Sequence, residues 1–289
     1  MNIFFLLKIL KKTRLLRYFN LETTKIINGQ QLKIPVVYGM GMHNVVLRNE
    51  WLDSMIPLFV ENVEGAFVDV GVNVGQSLLR VKTQFTEVKY IGFEPNPACV
   101  FYTDQLVKAN NFDNCIVLNT ALSDKPQKLI LEKTFIDDVR ASTITELRPG
   151  HLDEIAHVIS FDYDTLFIEE RCAFIKIDVE GAELDVIKGM KQSILKHKPI
   201  IACEILDSHS AESLEFTQRR VNELVDLILS MNYKMVRFLT KENALNGIEV
   251  IDEITIKQWT RESLFANDYL FYPEEEELNV IAKLNSAVM

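Results

Sequence analysis

The chain has 289 residues, of which 48% are hydrophobic, so it can bury a sizeable core as one large domain or two small ones. Its formal net charge of −10 argues against the phosphate backbone of nucleic acid as the main partner. The four scattered cysteines indicate buried thiols in a reducing compartment, and no apolar run approaches the length that spans a bilayer. We therefore expect a cytoplasmic protein.

Residues 1–20 interleave Leu, Ile and Phe with basic residues, which predicts an amphipathic helix that packs on the body of the domain. The charges follow the apolar run and no small-residue cleavage site appears, so a secretory signal is disfavoured. Contact with an anionic membrane surface is the alternative role of this segment. The basic residues are Lys8, Lys11, Lys12, Arg14 and Arg17.

Residues 33–47 predict a short hairpin, in which His43 has a structural or rim position, and residues 51–60 predict a helix that leads into the core.

The run of four glutamates from Glu274 onward is most simply explained as a solvated tail. The expected organisation is an N-terminal extension of residues 1–60, a main domain of residues 61–275 with an inserted segment at 122–165, and a tail of residues 276–289.

The most informative stretch is residues 67–76, where strand-forming residues run into a glycine-bearing turn and then into helix-compatible residues. The turn carries Asp69, Gly71, Asn73 and Gly75 at alternate positions. Glycine lets bare backbone approach a ligand, and the N-terminus of the following helix aims unsatisfied N–H groups at the same spot. The pattern indicates a nucleotide-like cofactor, with a tight turn that binds nothing as the alternative.

Glu94 ends the next predicted strand, a little over 20 residues beyond the turn, where doubly wound folds place a carboxylate on a ribose diol. A carboxylate suits this task because it accepts hydrogen bonds from both hydroxyls at once. The turn lacks the Gly-x-Gly-x-x-Gly spacing that dinucleotide phosphates favour, and Asp69 would repel a pyrophosphate but suit a cation. S-adenosylmethionine, a positively charged nucleoside, therefore fits these residues better than NAD.

Strand and helix patterns alternate from residue 67 onward, which predicts an α/β fold with a mostly parallel sheet and helices on both faces. The last two strand patterns follow each other without a convincing helix, which suits an antiparallel strand at the sheet edge. The predicted strands are residues 67–71, 89–94, 115–121, 173–179, 199–206, 233–239 and 267–272. The predicted helices are residues 76–85, 97–110, 184–196 and 211–231.

Residues 122–165 interrupt this alternation with two extra strand patterns and a polar, turn-rich stretch between them. An insertion here would lie over the carboxyl edge of the sheet, where substrates enter such folds. Its polar side chains are candidate rim residues, with a plain surface role as the alternative. They are Arg140, Ser142, Thr143, His151 and His157.

Lys176, Asp178 and Glu180 stand two residues apart on a predicted strand, so their side chains share one face. Central parallel strands are normally apolar on both faces, and burying these charges costs several kcal/mol unless they pair or have a function. A purely structural Lys–Asp ion pair is the alternative to a catalytic role. We expect an acidic cleft at one edge of the sheet, formed by Asp69, Glu94, Asp178, Glu180 and Glu204.

Five stretches resemble, in order and spacing, the FkbM family of S-adenosylmethionine-dependent methyltransferases. They are FVDVGVNVGQ, IGFEPNP, LNTALSD, FIKIDVEGAELDVIKG and IIACEIL, of which the IKIDVEGAE run is the most specific. Together they cover residues 67–206. The resemblance implies a Rossmann-like methyltransferase sheet of seven strands, and O-methylation of hydroxyls, often on sugars or polyketide-like products.

The resemblance also implies roles for individual residues. The methionine part of the cofactor would be held by Asp69, Gly71, Asn73 and Gly75. Glu94 would take the ribose with Asn96 beside it, and the adenine would be bordered by Ala121, Leu122 and Ser123.

Methyl transfer to a hydroxyl requires the acceptor oxygen in line with the methyl group and benefits from a base that removes the proton. Asp178 is the first candidate for this base and Glu180 the second, while Lys176 would orient Asp178 or lower its pKa. A divalent metal such as Mg²⁺ held by these carboxylates is an alternative that we do not favour. The expected acceptor is a hydroxyl-bearing small molecule or glycan. An NAD-dependent dehydrogenase and a non-catalytic cofactor-binding protein are the rival hypotheses.

Overall fold

The computed structural model describes residues 10, 12–13, 15–48, 50–61, 64–133, 154–242 and 244–288. The strands are β1 (Asn20–Ile27), β2 (Gln30–Val37), β3 (Ala66–Val70), β4 (Lys89–Phe93), β5 (Cys115–Leu118), β6 (Ala121–Leu122), β7 (Gln127–Lys133), β8 (Glu154–Phe161), β9 (Cys172–Ile177), β10 (Ile200–Glu204), β11 (Tyr233–Lys241), β12 (Ala244–Ile251) and β13 (Asp268–Pro273). The α-helices are α1 (Met42–Val45), α2 (Trp51–Val60), α3 (Gln76–Gln84), α4 (Pro97–Asn110), α5 (Glu183–Gly189), α6 (Lys191–His197), α7 (Leu214–Ser230) and α8 (Glu277–Val288).

Strands β1 and β2 form an antiparallel hairpin, joined by Asn28 and Gly29, which both have positive φ. Asn-Gly is the pair that the tightest hairpin turns favour, because both positions tolerate this backbone conformation. The hairpin therefore lies earlier than expected, since β2 covers only the start of residues 33–47. The rest of that stretch turns at Gly39 and enters α1, which contains His43, and the helix predicted at residues 51–60 is α2.

Eight strands form the main sheet in the order β12-β11-β13-β10-β9-β3-β4-β5. The five strands from β10 to β5 are parallel neighbours, whereas β13 runs antiparallel to both of its neighbours. The predicted Rossmann-like α/β fold, mostly parallel with helices on both faces, is confirmed.

The predicted number and place of the outer strands need correction. All seven predicted strands occur, but β12 makes an eighth, and the antiparallel β13 lies between β10 and β11 rather than at the edge. The edge strand is β12, which is antiparallel to β11. The residues of β12 are exposed or only partly buried, and Asn246, Gly247 and Glu249 break the alternation of its apolar positions, so its sequence does not reveal the strand.

Two apolar cores lie on the two faces of the sheet. Phe67 packs into the core under α2, α3, α4 and α8, whereas Val68 and Val70 pack into the core under α5, α6 and α7. All five residues of β3 are buried, as expected for a central parallel strand that helices cover on both sides. The carboxyl ends of the parallel strands, where the polar side chains gather, remain open between these two layers.

The inserted segment contributes a separate sheet in the order β6-β8-β7, which includes both of its predicted strands. His157 lies on β8 with an exposed side chain, opposite Ile130 of β7. The candidate rim residues Arg140, Ser142, Thr143 and His151 lie outside the described residues. All four cysteines are free thiols, as the sequence predicts.

The residues predicted as a solvated tail form a helix that packs on the domain. Val280 and Leu284 of α8 are 1% and 0% exposed and belong to the core under α2, α3 and α4. The glutamate run that precedes them is exposed, but Glu277 receives a 2.8 Å hydrogen bond from Lys234 of β11. Within the described part of the chain, every helix is too short or too polar to cross a lipid bilayer.

The packing of α8 is tested by a matched pair of substitutions in that helix. Leu284→Ala should lower the free energy of unfolding by about 2–4 kcal/mol, because it removes a buried side chain and leaves a cavity. Leu278→Ala, at a position that is 89% exposed, should change it by less than about 0.5 kcal/mol. Urea unfolding followed by circular dichroism measures both values, and equal effects would show that α8 does not pack as described.

Candidate active site

The turn after β3 brings two stretches of backbone into contact at the edge of the sheet. Gly71 has a φ of +91°, and a Cβ there would lie 1.9 Å from the carbonyl oxygen of Asp178. The N–H of Asp178 donates to the carbonyl of Val70 at 3.0 Å, which fixes the same contact. Glycine is therefore required at position 71 by close approach and by backbone conformation together. Gly75, also at positive φ, is the residue from which α3 begins.

Glu94 lies directly after β4, with a buried side chain whose two oxygens each accept a hydrogen bond from a backbone N–H group. Its two carboxylate oxygens accept hydrogen bonds of 2.8 Å from the N–H groups of Asn73 and Asn96. Burial raises the pKa of Glu94 to about 7, because desolvation outweighs these two hydrogen bonds. The side chain of Asn96 accepts from the N–H of Ala98 and so caps α4.

A first cavity, with about 620 Å³ of empty space, lies beside these groups and opens to solvent. The predicted site residues that line it are Gly71, Asn73, Glu94, Ala121, Leu122, Asp178 and Glu180. Ser123 is not part of its wall, because this residue continues β6 and its N–H donates to the carbonyl of Phe161. Gly75 and Asn96 begin helices next to the cavity instead of lining it.

Asp69 lies beneath the first cavity, inside the sheet. It is fully buried, the hydroxyl of Tyr90 donates to its Oδ2, and Lys176 Nζ lies 3.4 Å from its Oδ1. Burial raises the pKa of Asp69, although the nearby ammonium opposes that effect. The register of β3 against β9 pairs Asp69 with Lys176, and this pairing explains why the carboxylate faces its neighbour strand.

Lys176 joins two carboxylates through one ammonium group. Its Nζ lies 3.1 Å from Oδ2 of Asp178 and 3.4 Å from Oδ1 of Asp69, and its side chain is 13% exposed. Burial alone would lower the pKa of Lys176, but the two carboxylates outweigh it and raise the pKa above its ordinary value. The ion pair that the sequence suggested between Lys176 and Asp178 is thus present, with Asp69 as a third member.

A second cavity, with about 1190 Å³ of empty space, adjoins the first and shares Gly71, Asn73 and Asp178 with it. Its other polar walls come from the start of α2, from α3 and from the ends of β10 and β13. These residues include Glu50, Trp51, Gln76, Arg80, Lys176, Glu204 and Asp268.

Sequence reasoning missed Glu50, Trp51, Arg80 and Asp268 because none of them belongs to a motif. Arg80 is 1% exposed and forms ion pairs with Glu50 at 3.0 Å and with Asp53 at 3.2 Å. A buried arginine inside a helix pattern is the one feature that would have pointed to partners elsewhere in the chain.

Three carboxylates stand side by side at the edge of the sheet, on β13, β10 and the residue that follows β9. Glu204 pairs with Asp268, and Cys203 pairs with Ile177, so the next residue pair is Glu204 and Asp178. We call Asp178, Glu204 and Asp268 the carboxylate row.

Burial and the charges of neighbouring groups shift the pKa values of the three carboxyl groups in the carboxylate row. Burial raises the pKa of Glu204 well above its usual range, and the charges of Asp178 and Asp268 add to this effect. Burial and the charge of Asp178 raise the pKa of Asp268 to about 7. Burial also acts on Asp178, but Lys176 and a hydrogen bond from Glu204 outweigh it and lower the pKa of Asp178.

Among the described residues, no group of three or more histidine, cysteine or acidic side chains is arranged to hold a metal ion. This finding gives the metal alternative no support.

The family described as the FkbM methyltransferase domain matches residues 69–235 of this chain. No curated protein matches it. The chain is similar to the crystal structure of an FkbM methyltransferase from Methylobacillus flagellatus KT, with 16% identity and a TM-score of 0.46 over 79% of this chain and 45% of that one. This chain therefore spans less than half the length of that protein.

Two further solved structures are similar at lower identity. The crystal structure of TYW2 from M. jannaschii in complex with AdoMet has 11% identity and a TM-score of 0.41, over 87% of this chain and 86% of that one. A SAM-dependent O-methyltransferase from Thermotoga maritima has 8% identity and a TM-score of 0.39, over 87% of this chain and 77% of that one.

The role of Lys176 at the centre of the site is tested by removing its charge. Lys176→Met should lower the free energy of unfolding at pH 7 by about 3–5 kcal/mol, because Asp69 and Asp178 lose their shared partner. The loss should shrink at pH 5, since the unpaired carboxylates have raised pKa values and take up protons in the folded state. Denaturant titrations at the two pH values measure this.

Lys188→Met is the matched control for that substitution. Lys188 pairs with Glu223 at 3.4 Å, and both side chains are about half exposed. Its removal should change the stability by less than about 1 kcal/mol. Equal losses in the two variants would show that Lys176 has no special role in the ion-pair network.

Proposed function

The chain belongs to the FkbM methyltransferase family, and we propose that it transfers the methyl group of S-adenosylmethionine to a hydroxyl of a sugar, a glycan or another small-molecule natural product. One observation carries this proposal. The first cavity, walled by the buried carboxylate of Glu94, meets the larger, carboxylate-lined second cavity at Asp178. Two adjoining cavities that share one carboxylate suit a donor and an acceptor that react where they meet.

The residues around the first cavity fit the proposed cofactor. Glu94 uses its two oxygens for backbone N–H groups and retains lone pairs that accept from the two ribose hydroxyls. Ala121 and Leu122 offer an apolar surface for the adenine. The carboxylates of Asp178 and Glu180 in the same wall suit a cationic donor and disfavour the pyrophosphate of NAD. The bound cofactor would supply an electrophilic methyl group on a sulfonium.

Asp178 is the residue that we assign to the acceptor proton. It lines both cavities, and Lys176 keeps its carboxylate ionised at neutral pH. A base of low pKa is sufficient here, because the acceptor oxygen becomes strongly acidic as its bond to carbon forms. Glu180 lines the first cavity and not the second, so it remains the second candidate.

The lining of the second cavity supports an acceptor with several hydroxyl groups. Glu50 and Asp268 provide oxygen atoms that accept hydrogen bonds, and Gln76 provides both donors and an acceptor. Trp51 adds an aromatic surface beside them. A polyhydroxylated ring satisfies such a wall better than an apolar acceptor, which would leave the carboxylates unpaired.

The proposal is tested by incubating the protein with S-adenosylmethionine and a panel of mono- and oligosaccharides, and measuring S-adenosylhomocysteine formation. Asp178→Asn should lower turnover on any accepted sugar by about two to four orders of magnitude, with little change in cofactor affinity. If the ion pair is only structural, stability falls instead and activity follows the amount of folded protein. A stable Asp178→Asn variant with full turnover would transfer the role of base to Glu180.

The assignment of Glu94 to the ribose predicts a pH dependence of cofactor binding. The carboxyl has a pKa of about 7 and is neutral below that pH, but it must be ionised to accept from both hydroxyls. Affinity for S-adenosylhomocysteine, measured by calorimetry, should therefore rise about tenfold from pH 6 to pH 8 and then level off. Glu94→Gln should weaken binding by about 2–4 kcal/mol and remove this pH dependence.

Glu183→Gln is the control for the Glu94 experiment. Burial also raises the pKa of Glu183 to about 7, but its side chain does not line the first cavity. Its removal should leave the pH dependence of binding in place. If Glu183→Gln and Glu94→Gln have the same effect, Glu94 does not contact the ribose.

A further inference from the structure

Glu204 is the central member of the carboxylate row, and the methyl transfer proposed above leaves its charge state unexplained. Its side chain is half-buried at the wall of the second cavity, between Asp178 on one neighbouring strand and Asp268 on the other. Adjacent strands lie about 4.8 Å apart, so three carboxylates in register on one face are close neighbours. Like charges at such separations cannot all be ionised at neutral pH.

Among the described residues, only one positive charge lies within hydrogen-bonding distance of the carboxylate row, and it pairs with Asp178. Lys176 pairs with Asp178 at 3.1 Å and with Asp69, while the ion pairs of Arg80 go to Glu50 and Asp53 across the cavity. Asp178 is therefore the carboxylate that stays ionised, and a proton on Glu204 is donated to it in a hydrogen bond. The titratable and charged groups that face Glu204 are Lys176, Asp178, Glu180, Cys203 and Asp268, with Asp69, Glu50 and Arg80 farther along the same walls.

We propose that Asp178 and Glu204 form one pair that holds a single proton, so that a proton arriving on Asp178 drives the proton of Glu204 out into the second cavity. The inference rests on the proposed function, because the arriving proton is that of the acceptor hydroxyl. Glu204 is a positioning residue in this scheme, since it acts through Asp178 and does not touch the reacting atoms.

The acceptor O–H bond breaks as the O–CH₃ bond forms, and the proton goes to the carboxylate of Asp178. The electron pair of the broken S–CH₃ bond stays on the donor sulfur, which becomes a neutral thioether. Once Asp178 is neutral, it no longer stabilises the proton on Glu204, which leaves for water in the cavity, either directly or through Asp268. The pair holds one proton before and after turnover, and the net product is one proton in solvent.

This arrangement explains why Asp178 is not disabled as a base by Lys176. A carboxylate beside a fixed ammonium takes up a proton reluctantly, and the doubly protonated pair would be the costly state. Loss of the proton from Glu204 avoids the doubly protonated state, because Glu204 becomes negatively charged as Asp178 becomes neutral. Glu204 also lies at the cavity wall, where a proton has an open route to solvent.

The pair is tested by the pH dependence of unfolding, which needs no substrate. In the wild type, Glu204 has a higher pKa folded than unfolded, so its contribution to stability is full below about pH 4.5 and declines as pH rises through the folded pKa. Glu204→Gln removes this decline. The melting temperature of the variant minus that of the wild type should therefore be larger at pH 9 than at pH 5, by about 3 °C or more. Scanning calorimetry of the full chain measures the shift.

Two further variants complete the stability experiment. Glu253→Gln, at an exposed position that lines neither cavity, removes the same charge and should leave the pH dependence unchanged. Asp178→Asn removes the ionised partner, so it should lower the pKa of Glu204 and flatten the same decline even if Glu204→Gln fails to fold. A wild-type slope in Glu204→Gln, or in Asp178→Asn, would overturn the pair.

Turnover supplies a second and separate measure. On a sugar that the wild type methylates, Glu204→Gln should lower kcat about tenfold, with unchanged KM and unchanged affinity for S-adenosylhomocysteine. Unchanged kcat would overturn the proton-release role, and a loss that affects KM and kcat together would assign Glu204 to acceptor binding instead. If no acceptor is methylated, the proposed function fails while the unfolding data still decide whether the pair exists.

Discussion

The buried ammonium of Lys176 is the interaction on which the rest of the site depends. A charge in a central parallel strand is unfavourable unless partners surround it, and its partners come from the same strand and from its neighbour. The ammonium therefore holds Asp69 and Asp178 at a fixed register, at the point where Gly71 lets the two backbones touch. Its charge also lowers the pKa of Asp178 against the effect of burial, whereas burial raises the pKa values of Glu204 and Asp268.

Much of the fold and part of the site follow from local sequence. The alternation of strand and helix patterns sets the parallel sheet, because each pattern is a property of about ten neighbouring residues. Glu94, Gly71 and Asp178 were recognisable for a related reason. Each ends a strand or lies in the turn that follows one, and the carboxyl ends of parallel strands all meet at one edge.

The parts that sequence did not reveal depend on pairing between distant segments. The sequence predicts that Asp69 faces the cofactor, but the register of β3 against β9 places its side chain beside Lys176. The sequence of one strand does not by itself specify its register with a neighbouring strand. Trp51 and Asp268 reach the second cavity only because α2 and β13 pack there. The eighth strand, β12, was missed because its residues are exposed or only partly buried and its apolar positions do not alternate regularly, and α8 was missed because its acidic start resembles a solvated tail.

The position of β13 determines when this protein can acquire its site. The strand is the last of the chain described here, yet it lies inside the sheet between β10 and β11, antiparallel to both. During synthesis, strands β3, β4, β5, β9 and β10 emerge well before it and can pair among themselves. Strand β10 therefore keeps an open edge until residues 268–273 have left the ribosome. An unpaired edge of this kind attracts other strands, so the growing chain carries an aggregation hazard that ends only when the strand bearing Asp268 fills the gap and completes the carboxylate row.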